Sequence, residues 1–186
     1  MSSYSIIAET GEHMVTLLRR ELVPDMILTE QEIALCEPNE KNDIRVKICL
    51  YNVEESKEVR MNGMINQMAE TQRFPSMYLN LYYMITVYSY SDVKYRASEE
   101  HRIIGRILQL FHDYSMNPDA FDGPDATASM RLELQNISME EKIKAWNYPN
   151  VPYKMSLFYR VVPVELESAG ERAVKRVTDF TIKLQE

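Results

Sequence analysis

Cysteine is scarce in this chain of 186 residues: only Cys36 and Cys49. Two cysteines cannot build a disulfide framework, and their spacing does not fit a CxxC redox or zinc motif. Cys49 reads instead as a small apolar filler inside a strand. Glycine is also sparse, with five residues, so the close-approach turns that phosphate and dinucleotide sites use are missing. No GxSxG elbow, HExxH helix or calcium loop occurs. Histidine is limited to His13, His101 and His112. The last two fall on nearly one helix face, but a rise of ~16 Å separates them, too far to share a metal ion. No metal, cofactor or catalytic residue is therefore expected. A small hydrolase is the distant alternative, and it would need His101 or His112 beside a nucleophile and an orienting acid. Apolar runs are short, so no membrane span is expected. The N-terminal residues do not pair a basic stretch with an apolar one, as a secretory signal does. Basic residues are outnumbered, 21 against 28 acidic, for a formal charge of -7. That sign argues against a non-specific nucleic-acid binder.

What the chain does have is apolar content, 45% of residues, enough for one domain over residues 1–186. A helix is expected over about 5–22, where Ile7, Met14, Leu18 and Leu22 recur at helical spacing and Pro24 closes the element. Gly11 is a weak point there, costing about 1 kcal/mol against alanine. A short strand is expected over 33–36. From Ile44 to Tyr51 the residues alternate, with Ile44, Val46, Ile48 and Leu50 on one face and Arg45, Lys47, Cys49 and Tyr51 on the other. Residues 54–76 have weak periodicity and read as a long excursion. Met77 to Tyr88 is apolar or aromatic on both faces, so it is expected to be a central strand covered on both sides.

Ser98 is expected to cap the next helix, with Glu99 and Glu100 in its first turn and Ile103, Ile104, Ile107, Leu108, Phe111 and Tyr114 as its stripe. Pro118 stops it, and Asp122-Gly123-Pro124 reads as a turn. Met130 to Gln135 alternates as a strand. Ser138-Met-Glu-Glu141 is a capping box opening a short helix. Tyr153 to Val162 is a further strand, where Pro163 signals an edge or a bulge. Residues 180–184 read as a last strand. The fold class is α+β, one mixed sheet with helices packed against it.

The surplus lies in Tyr and Met, twelve of each, residue types enriched at interfaces. Tyr78 and Tyr82 share a strand face. Met61, Met64 and Met68 are spaced three and four apart, which would line one face of a short helix, either as an adhesive surface or as core. Arg45 and Lys47 on one strand face, with Arg60 and Arg73 flanking the excursion, could meet acidic groups of a partner or form an ordinary solvated face. Trp146 is expected to be a packing anchor for the short helix.

These segments, in order, resemble a known family. The helix begins Tyr4-Ser5-Ile6-Ile7, and IRVKICLYNVEES follows at 44–56, then RMN at 60–62. FPSMYLNLYYMITVYS at 74–89 is similar to the family's aromatic or proline start and its L-x-L-Y-Y strand. EEHRIIGRILQLFHDY at 99–114 looks like the family helix. LELQNISMEEKIKAWNYPNVPYKMSLFYRVVPVEL at 132–166 carries the short helix, the tryptophan and the strand that begins at Tyr153. The chain thus resembles the DUF4255, or Pvc16 N-terminal domain, family.

The resemblance implies a fold similar to phage tail-terminator proteins. It also implies a structural cap on the baseplate-distal end of the inner tube and sheath of a contractile injection system. The implied partners are the chain itself, as a homohexameric ring, the tube protein and the sheath protein. The expected location is the cytoplasm during assembly and then a phage-tail-like particle that can be released. An adaptor elsewhere in the same particle is the alternative. Residues 54–76 and the C-terminal strand are the candidate contact segments.

Overall fold

The structure is a computed structural model, and it describes residues 3–40, 43–59, 65–68, 71–119 and 131–173. Three α-helices are described: α1 Ile6–Leu22, α2 Val93–Met116 and α3 Met139–Ala145. The strands are β1 Ile33–Leu35, β2 Val46–Glu55, β3 Ile65–Met68, β4 Thr71–Arg73, β5 Met77–Val87, β6 Arg131–Leu134, β7 Ser156–Leu166 and β8 Glu171–Ala173. The main sheet has five strands in the order β1-β2-β5-β7-β6. Only β1 runs parallel to its neighbour, so the sheet is mixed, as expected. A second, three-stranded sheet, β3-β4-β8, is built partly from the expected excursion. That stretch therefore holds strands rather than loop alone.

β5 is the central strand, and the alternation seen in the sequence sets its two faces. Leu79, Leu81, Tyr83, Ile85 and Val87 join the core beneath the two long helices. From α1 come Met14, Leu17, Leu18 and Leu22, and from α2 come Ile103, Ile107, Leu110, Phe111 and Tyr114. Gly11 has a local reason. A Cβ there would come within 2.9 Å of Leu35 Cδ1 and 3.4 Å of the Tyr83 hydroxyl, so glycine lets α1 lie close to the sheet.

The opposite sheet face carries a smaller cluster of Met84, Phe158 and Trp146, with Tyr51, Tyr148, Val151 and Tyr153 packed around it. Trp146 lies just past α3, and its indole N–H donates to Val151 O at 3.3 Å. The capping box is formed: the Glu141 N–H donates to Ser138 Oγ, and the Ser138 N–H donates to Glu141 Oε2 at 2.8 Å. Pro163 falls at a bulge. Leu79 pairs with Val164 and Leu81 with Val161, so β7 carries one residue more than β5 across this step.

The helix α2 begins earlier than its sequence pattern suggests. Its N-cap is Asp92, whose side chain accepts from the Lys94 N–H at 3.4 Å, and Ser98 lies within the helix. Glu99 and Glu100 are therefore not first-turn residues.

Both edges of the main sheet are guarded by helix side chains. Arg19 of α1 donates to Ile33 O on β1, at 2.8 Å from Nη2. Ser115 of α2 donates to Leu132 O on β6 at 2.9 Å. Short edge strands with occupied carbonyls resist uncontrolled pairing.

Candidate assembly surface

Lys47, on β2, and Arg45, just before that strand, do not become a solvated basic face: both are buried. This corrects the expectation of an exposed basic pair. Arg45 Nη2 meets Glu99 Oε1 at 2.7 Å, and its Nε lies 3.8 Å from Glu32 Oε2. The Ser89 hydroxyl and the Ser91 hydroxyl, the latter at 2.6 Å, donate to Glu99 Oε2. These hydroxyls, followed by Arg45, hold the Glu99 carboxyl down at about 2. Lys47 donates to the carbonyls of Pro38 and Glu40 and sits 4.9 Å from the Tyr88 ring centroid. Lys154 lies at the same distance from that ring and pairs with Glu100 at 2.8 Å. The Glu99-Glu100 pair thus joins α2 to the sheet rather than serving a helix end.

Further along the same face, Tyr82 and Arg160 organise a half-open polar patch. The Tyr82 hydroxyl donates to Glu54 Oε2 at 3.0 Å. Arg160 Nη2 meets Glu133 Oε2 at 2.7 Å, and both terminal nitrogens reach Glu58 Oε1 at 3.2 Å. Burial, then Glu54, pushes the Tyr82 phenol above its ordinary value. Tyr78 is half-buried and is pushed up in the same way, next to Glu165. Arg160 was not among the residues singled out from the sequence. Its signal is a lone cation on an otherwise apolar or small strand face of Ser156, Phe158 and Val162.

Arg73, on β4, pairs with Glu167 at 3.2 Å. Met68 lies in strand β3, so the helical face expected from Met61, Met64 and Met68 does not form at its C-terminal end. Arg60, Met61 and Met64 lie outside the described residues, as do the turn at 122–124 and the strand expected at 180–184.

Several large apolar side chains are open to solvent. Met139 and Ile143 stand one turn apart on α3 and are 55% and 53% exposed. Trp146, by contrast, is buried. The short helix thus docks through its tryptophan and turns an apolar pair to the surface. Tyr90, Val93 and Tyr95 are exposed around the start of α2, and Phe74 and Met77 at the start of β5.

Among the described residues, enzyme-like constellations are not assembled. His101 and His112 are exposed on α2, and His13 contacts the Tyr114 hydroxyl at 3.3 Å. A groove of about 440 Å³ runs beside His112, lined by Phe111, Leu132, Leu134 and Tyr159. The Ser115 hydroxyl, which also lines it, shares its proton between the Phe111 and Leu132 carbonyls and is not aimed at the imidazole. No cluster of metal-ligating side chains occurs among the described residues. Nor is any helix among them long and apolar enough to cross a membrane.

The fold is similar to two solved structures. The sheath/tube terminator of the extracellular contractile injection system PVC, in its extended state, matches with a TM-score of 0.70 at 15% identity. The match covers 97% of this chain and 63% of that one. The tube-terminating cap of the anti-feeding prophage matches with a TM-score of 0.56 at 16% identity, over 95% of this chain and 61% of that one. The chain thus spans less than two thirds of either protein's length. No curated protein sequence matches it. The Pvc16 N-terminal domain model matches residues 9–179, and the chain belongs to that family.

Proposed function

We propose that this chain is a structural terminator of a phage-tail-like contractile injection system and has no enzymatic activity. In this reading it caps the baseplate-distal end of the inner tube and sheath as a ring of six copies. Ring closure satisfies each protomer with its neighbour, and so it stops growth. Assembly takes place in the cytoplasm, and the protein then leaves with the particle. The observation that carries the reading is family membership over residues 9–179, joined to a shared fold with two terminating proteins. The surface agrees with this role. Met139, Ile143, Tyr90 and Tyr95 are exposed, and exposed apolar and aromatic side chains of this kind suit contact with partner subunits.

The test is to delete the gene from the producing cluster and image the particles by electron microscopy. Loss of tube and sheath length control, restored by supplying the protein in trans, is the expected result. Particles of normal length and finish would refute a terminator role. Labelled protein found at the baseplate end would identify an adaptor instead. Light scattering on the purified chain across a concentration series tests the ring, with six protomers expected.

A further inference from the structure

Cys36 and Cys49 are thirteen positions apart in sequence, but the parallel pairing of β1 with β2 brings them side by side. The register runs Ile33 with Val46, Ala34 with Lys47 and Leu35 with Ile48. The ladder then continues one residue further, because the Cys36 N–H donates to Ile48 O at 3.1 Å. In a parallel ladder that bond places Cys36 opposite Cys49. Adjacent strands lie ~4.8 Å apart, inside the ~4.4–6.8 Å range of Cα separations that a disulfide spans. Residues opposite one another in a sheet point to the same side, so the two side chains leave the same face. Both cysteines line one cavity of about 440 Å³, together with Leu35, Glu37 and Leu50. Both are in the thiol form.

We propose that Cys36 and Cys49 form an intrachain disulfide when the chain meets a disulfide oxidant, stapling the edge strand β1 to β2. The chemistry is two thiol–disulfide exchanges. The Cys36 thiolate attacks one sulfur of oxidised glutathione, breaks its S–S bond and releases one glutathione thiolate. The Cys49 thiolate then attacks the Cys36 sulfur and displaces the second glutathione. The two cysteines lose two electrons and two protons, and these appear in two molecules of reduced glutathione. The order follows from exposure. Cys36 is half-buried and reachable, whereas Cys49 is buried and reacts only with a neighbour.

Cys49 is also a reluctant thiolate. Burial, with Glu37 and Cys36 adding to it against an opposing hydrogen bond from Tyr148, pushes it up to about 11. Closure is therefore expected to quicken as pH rises from 7 to 9. The product would lock a three-residue edge strand that the ladder, Arg19 and its own packing otherwise hold. The inference does not depend on the terminator role, because it concerns two strands of one chain.

The test uses the purified full chain, incubated with oxidised glutathione at pH 8.5, quenched under denaturing conditions with a maleimide and weighed by mass spectrometry. The expected product is a single chain lighter by two hydrogens, taking up no maleimide, with one proteolytic peptide pair joining Cys36 to Cys49. The Cys49→Ala variant should stop at one glutathione adduct on Cys36. Wild-type protein that stops at that same adduct, with Cys49 still open to maleimide, overturns the proposal. So does a product in which the disulfides link two chains.

Discussion

The two faces of the five-stranded sheet are covered by unlike material. Beneath α1 and α2 the face is apolar throughout, from Val46 and Ile48 through Leu81 and Ile85 to Val161 and Val164. The other face has three buried cluster residues, Met84, Phe158 and Trp146, set among polar groups. Thr86 and Ser156 share a hydrogen bond of 2.8 Å there, Lys47 is tied to backbone carbonyls, and Arg160 bridges two carboxylates. Burying aliphatic area gains free energy without regard to direction, so the helix face can store most of the stability. Buried polar groups gain little net energy but demand one geometry. The second face therefore positions the α3 layer and its open Met139–Ile143 pair rather than supplying the bulk of the folding energy.

The sharpest way to break this contrast is to cut the helix face. Leu18→Ala, at a fully buried site, should cost about 4 kcal/mol in urea unfolding. A loss under 1 kcal/mol would mean that the stability lies elsewhere. Next in size is Arg45→Met, which leaves Glu99 and Glu32 without their cation. It should cost about 2–3 kcal/mol, since removing one partner strands the other. The double variant Arg45→Met/Glu99→Gln should recover part of that loss, and an additive double variant would deny the coupling.

A smaller effect follows from Glu99. Its folded value, about 2, lies below the ordinary 4.5, so its contribution is fully present above pH 4.5 and is lost as pH falls toward 2. After allowance for solvent screening this amounts to about 1 kcal/mol. Chemical denaturation at pH 6 and pH 3 should show it in the wild type and not in Glu99→Gln. The smallest effect on stability is expected on the open side of α3. Met139→Ser/Ile143→Ser should stay within about 0.5 kcal/mol of wild type yet weaken ring or particle assembly, as read by light scattering and pull-down with tube protein. Unchanged assembly would remove α3 from the contact surface.

Much of the scaffold was legible as pattern. The two-residue period of β2 and β5, the apolar stripe of α2, the capping box at Ser138 and the bulge at Pro163 are local signals, and each appears in the structure. The start of α2 was not legible. Val93 to Arg96 carries no buried stripe, and Asp92 competes poorly as a signal with Ser98 followed by two glutamates. Met68 misled because a three-and-four spacing over a few residues resembles a helix turn. Its strand exists because β4 bridges β3 to β8, a partner about a hundred residues away. Of the candidate surface, Tyr78 and Tyr82 lie where the alternation placed them, half-buried on one face. Arg45 and Lys47 show the limit, because a period of two tells which residues share a face but not what covers it.

The sequence by itself determined the class of fold and the faces of its long elements, because helix and strand periods are written in neighbouring residues. It also carried the ordered segments that mark the family. Only the tertiary structure decided which charges are spent inside the fold, which apolar residues of α3 stay open, and that Cys36 stands opposite Cys49. Those outcomes depend on strand register and on the packing of distant segments, and no local window of sequence contains them.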